Sequence, residues 1–145
     1  SADEVLKSEL NRERFGELAQ EMPIYAQYPN EKQETYIKNL VRGAFAHGPE
    51  LDDYISRYAV GWSFERIPRM AAAIMRTAMY EILYMPDIPN AAAINAAVEL
   101  TKQYEPQEVA AFVNGILGSF VRAEFQDTPA KPEKAAARTE TAPEA

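Results

Sequence analysis

FVNGILGSF, residues 112–120, carries two opposed signals. Asn114-Gly115 is the strongest two-residue hairpin signal when alternating strands flank it. The apolar residues around it do not alternate. Phe112, Ile116 and Phe120, with Val113, Leu117 and Val121, recur at three and four residues, the spacing of one helix face. The stripe therefore predicts a helix with a glycine inside it, which costs about 1 kcal/mol relative to alanine. A second backbone approaching Gly115 closely, with the Asn114 amide bonding across the junction, would offset that cost. The pair reads as an architectural joint.

Working outward, the rest of the chain punctuates as helices with proline or glycine breaks. Val5, Leu6, Leu10, Leu18 and Met22 give one loosely periodic first helix closed by Pro23, and residues 24–29 form a connector. Tyr36, Ile37, Leu40, Val41 and Phe45 make a second stripe that ends at Gly48-Pro49, and Leu51, Tyr54, Ile55 and Tyr58 make a third. Trp62 and Phe64 fall in a turn before Ile67-Pro68. The most apolar segment, PRMAAAIMRTAMYEILYM at residues 68–85, is covered so widely that it reads as a central helix. Its least covered flank holds Arg69, Arg76, Tyr80 and Leu83. Ile94, Ala97, Val98, Thr101 and Tyr104 follow, and Pro106 precedes the last helix. With neither strand alternation nor a fixed repeat, the reading is an all-α bundle of about six helices over residues 1–126. Residues 127–145, DTPAKPEKAAARTETAPEA, hold no large apolar residue and are expected to form a disordered acidic, Pro- and Ala-rich tail.

Composition narrows the chemistry. The chain has no cysteine and a single histidine, His47, so thiol catalysis and a His-rich metal site are excluded, and no metal or cofactor is expected. No run reaches the ~20 apolar residues of a membrane span, and the start SADEVLKSEL lacks the order of a signal peptide, so the expected location is cytoplasmic with no membrane contact. A net charge of −7 argues against nucleic acid unless basic residues cluster on one face. Arg69, Arg76 and Tyr80 share a narrow arc and form such a candidate cluster, able to hold phosphates and stack a base. Glu81 lies among apolar positions and reads as a buried structural carboxylate, since no second acid or nucleophile is spaced beside it.

RTAMYEILYMPDIPNAAAINAAVELTKQY, followed by AAFVNGIL, resembles the NusB family of bacterial transcription antitermination factors. The matching motifs are an R-x-A-x-Y-E helix, an I-P loop, an I-N-E-A-V-E-L-A-K helix and an F-V-N-G-V-L helix, in that order. With LVRGAFAHGPELDDYISRY, the likeness covers roughly residues 36–122. It implies an all-helical NusB-like fold of two packed subdomains without a catalytic centre. It also implies binding of single-stranded, boxA-like RNA together with ribosomal protein S10, in a complex that modifies the RNA polymerase elongation complex during ribosomal RNA transcription. On this resemblance Arg66, Arg69, Arg76, Tyr80, Lys102 and Phe112, with Tyr58 behind them, are the RNA-facing set. Glu81, Asn95, Glu99, Asn114 and Gly115 belong to the structural motif.

Departures from the pattern bear on function. The arginine-rich R-R-x-A-R-E-x-A start of most members has no counterpart, which implies a truncated chain or a lost RNA contact. Ala71 stands where an acidic residue is common, Ala96 replaces the first Glu of I-N-E-A, and Val109-Ala110-Ala111 replaces a polar stretch. The alternative is thus a NusB-like protein-interaction module, binding S10 or forming a homodimer, with weak or lost RNA binding.

Overall fold

The computed structural model describes residues 1–125, so the expected tail lies outside the described residues. Seven α-helices run along them: α1 Ala2–Glu9, α2 Arg12–Ala19, α3 Glu31–Ala46, α4 Gly48–Tyr58, α5 Arg69–Tyr84, α6 Asn90–Tyr104 and α7 Gln107–Glu124. Short 3-10 turns occupy Pro23–Ala26 and Phe64–Arg66. The all-α expectation holds, and among the described residues no strand occurs. Two compact units divide the chain, Ser1–Ala46 and the helices from His47 onward.

In the first unit the expected single helix is two. Asn11 causes the break, because its Oδ1 accepts the N–H of Arg14 at 2.8 Å and so caps α2. Its Nδ2 donates to the carbonyls of Lys7 and Ser8, which ends α1. Helix α3 starts with a reciprocal box in which Asn30 accepts from the Gln33 amide and Gln33 accepts from the Asn30 amide, at 2.8 and 2.9 Å. Phe15 meets Tyr25 and Tyr28 edge-on, both at 5.1 Å.

The second unit holds a dense apolar core. Leu51 and Ile55 of α4, Met75, Met79, Ile82 and Leu83 of α5, and Val113, Leu117 and Phe120 of α7 are wholly buried. Helix α6 packs through small side chains: Ala93, Ala97 and Thr101, spaced by four, are its buried residues. The Thr101 hydroxyl donates to the Ala97 carbonyl at 2.7 Å, so its polar atom is satisfied in the interior. Tyr54 and Tyr58 of α4 approach Phe120 at 4.9 and 6.1 Å, and the Tyr58 hydroxyl donates to Glu124 at the end of α7.

Candidate nucleic-acid interface

Helix α4 leads into α5 through a segment shaped by one glycine. The N–H of Trp62 donates to the Ala59 carbonyl at 3.1 Å, closing a turn in which Gly61 has φ +85°, a conformation that side-chain-bearing residues rarely adopt. Phe64–Arg66 then makes its 3-10 turn, and Pro68 precedes Arg69, the first residue of α5. This route leaves Trp62 half in the open. One side of its ring leans on Phe112 of α7, with centroids 4.8 Å apart and planes tilted by 46°.

The seven residues expected to face RNA divide sharply. Arg66 and Arg69 are exposed and have no carboxylate partner among the described residues. Arg76 is half-buried: its Nε donates to Asp52 of α4, and its guanidinium lies 5.7 Å from the centre of the Phe64 ring. Lys102 is exposed but sits 2.9 Å from Glu99 one turn back. Phe112 is half-buried beneath Trp62. Tyr58 uses its hydroxyl on Glu124, and that bond, with burial, raises its pKa.

Tyr80 does not belong to the set. It is 7% exposed, packed between His47 and Tyr84 at 5.7 and 5.1 Å, and burial pushes its phenol pKa up. Leu83 is wholly buried as well. The flank of α5 taken to be open is in fact closed where it meets the start of α4: Tyr84 donates to Glu50 at 2.7 Å, and His47 lies 3.2 Å from the same carboxylate oxygen. A projection of one helix shows which residues share a side but not which side a neighbour covers.

The motif residues need a second correction. Glu81 is buried, as its place among apolar positions implies. Asn95 and Glu99 are exposed on α6. Asn114 and Gly115, read as a joint, are also exposed, and a Cβ added at Gly115 would meet nothing within 4 Å. No second backbone approaches among the described residues, so close packing there does not explain this glycine. Ala71 and Ala110 are buried, and their small side chains serve the packing of α5 and α7.

Trp62 is the residue that periodicity passed over, because a turn residue belongs to no stripe. The available signal was a large aromatic directly after a glycine, in a turn between two helices.

The sequence pattern of the NusB family matches residues 3–122, a wider span than the motifs alone delimit, and it takes in the first unit. The transcription antitermination protein NusB of Acetivibrio thermocellus is 42% identical over 96 residues, covering 66% of each chain. That of Thermoanaerobacter sp. is 45% identical over 96 residues, covering 66% of this chain and 67% of its own. The chain thus spans about two thirds of the length of the curated relatives it matches. A solved structure of T. maritima NusB is similar at TM-score 0.64 and 33% identity, covering 74% of this chain and 71% of that one.

Proposed function

Because the chain belongs to the NusB family, we propose that it acts as a non-enzymatic transcription antitermination factor in the cytoplasm. In this reading it binds single-stranded, boxA-like RNA together with ribosomal protein S10 and acts on the RNA polymerase elongation complex. The observation that carries the RNA part is the pair of exposed arginines at the entry to α5, Arg66 and Arg69, which have no carboxylate partner among the described residues. In a chain of net charge −7, free guanidinium groups are where a phosphate gains most, since paired ones must first give up a partner.

The test is a salt titration of binding to a labelled boxA-containing RNA, against a scrambled control, with and without S10. Replacing both Arg66 and Arg69 by alanine is expected to weaken binding and to flatten log K against log salt by roughly 1.4, at about 0.7 per lost single-strand phosphate contact. Arg76→Ala is expected to change the slope less, because Asp52 already holds its guanidinium. An unchanged slope in the double variant would remove this face from the RNA path. Wild-type chain that prefers neither RNA, even with S10 present, would overturn the RNA reading.

A further inference from the structure

We propose that Trp62 is a base-stacking residue for single-stranded RNA, with Phe112 as its support and Arg66 and Arg69 as the phosphate contacts; this deepens the RNA-binding reading above and rests on it. Trp62 is the only tryptophan of the chain, and it is 49% exposed. Tryptophan side chains are among the largest apolar payloads a core can take, so one left half in water spends only part of its surface on the fold. The ring is nevertheless held in place. Phe112 supports it at 4.8 Å, and the Ala59-to-Trp62 hydrogen bond with Gly61 at φ +85° fixes the backbone beneath it. A half-exposed ring braced by a second aromatic can serve as a stacking platform, and such a platform tolerates any base because every base offers a π-face.

Charge decides which flat ligand fits. In the second unit Arg57, Arg76 and Lys102 each engage a carboxylate, whereas among the described residues Arg66 and Arg69 have none, and Arg122 of α7 donates to Ser119 instead. They lie four and seven residues after Trp62, within about 14 and 25 Å along even a fully extended chain. Glu65 is the only carboxylate between residues 60 and 70, so this stretch is cationic in an acidic protein. An aromatic platform flanked by uncommitted guanidiniums matches a single strand with bases on one side and phosphates on the other. A duplex, whose bases are already stacked, has no free face to offer.

The sole tryptophan makes its own probe. A short single-stranded RNA carrying a label is titrated into the full chain while label anisotropy and Trp62 emission are read together. Emission is expected to be quenched with the same midpoint as the anisotropy rise, and a duplex of the same sequence should leave it unchanged. Trp62→Ala should bind roughly 5- to 150-fold more weakly, the span of one lost base stack, and Trp62→Phe should recover most of that loss. Anisotropy that rises while emission stays flat, with Trp62→Ala binding as wild type, would overturn the stacking role and leave RNA binding intact; the aromatic pair would then suit a protein partner. No anisotropy rise in the wild-type chain would overturn both readings at once. The emission test uses the unmodified protein, so it stands whether or not a variant folds.

Discussion

Helix α5 buries ten of its sixteen residues, whereas α2 buries none of its eight. The contrast extends to the units around them. In Ser1–Ala46 only Leu6 and Gly43 are buried, and the visible restraints are caps, edge-on rings and ion pairs such as Arg14 with Glu9 and Glu17, and Arg42 with Asp3. Exposed pairs of that kind contribute little, since water and salt screen them. Helices of eight residues also fall below the ~12–15 at which an isolated helix becomes marginal. From His47 onward, apolar burial supplies the stability instead. Both halves score as helical by pattern, so helix formation and helix stability are separate properties here.

The sharpest way to break that contrast is a matched pair of truncations. Phe120→Ala, at a wholly buried ring between Tyr54 and Phe125, is expected to cost about 3–5 kcal/mol. Phe15→Ala, at a half-buried ring, is expected to cost about 1–2 kcal/mol. Urea midpoints followed by circular dichroism read both, and equal losses would show that the first unit is held as firmly as the second.

A smaller effect sharpens the comparison by location. Asn11→Ala removes the cap of α2 and the stop of α1 together and should cost about 1 kcal/mol. Hydrogen exchange is expected to quicken in α1 and α2 while the amides of α5 to α7 keep their protection. Quickening throughout would mean that the two units open as one.

The smallest effect tests a polar contact within the apolar unit. Tyr58→Phe deletes the bond to Glu124 and should cost roughly 0.5–1 kcal/mol at neutral pH. Since that bond and burial raise the Tyr58 pKa, its contribution is complete below the ordinary tyrosine value of about 10 and is lost as pH rises through the folded value. Tyr80 shifts the same way in both proteins, so the difference between wild type and variant isolates Tyr58. A gap between them that stays constant above pH ~10 would show that the bond to Glu124 does not depend on the phenol proton.

The sequence made the second unit largely readable. Its stripes are long, its breaks carry proline, and the boundaries of α4 to α7 follow from them. In the first unit apolar residues are sparse, and the side chain that splits the helix, Asn11, acts through hydrogen bonds that periodicity does not register. The candidate site was legible in part. Arg76 and Phe112 lie in the motif itself and Arg69 on the arc of α5, whereas the burial of Tyr80 could not be read, because it depends on His47, just before α4, and on Tyr84, one turn further along α5. Trp62 went unread because its placement is set by the backbone of Gly61, a property of a turn and not of any face.

Helices α4 and α7 meet across a long detour: Tyr58 and Glu124 are 66 residues apart in the chain, while α4, α5 and α6 each pack against the next helix along. Closing a loop of that length carries an entropic term of about 3.7 kcal/mol from (3/2)RT ln n. Neighbouring helices therefore have reason to pair first and the α4–α7 seam last. A contact made after the transition state leaves the folding rate alone and sets the unfolding rate. In stopped-flow kinetics the Tyr58→Phe loss should accordingly fall on the unfolding limb, making this seam the timer of the native state, which governs how long the protein survives between excursions to the unfolded chain.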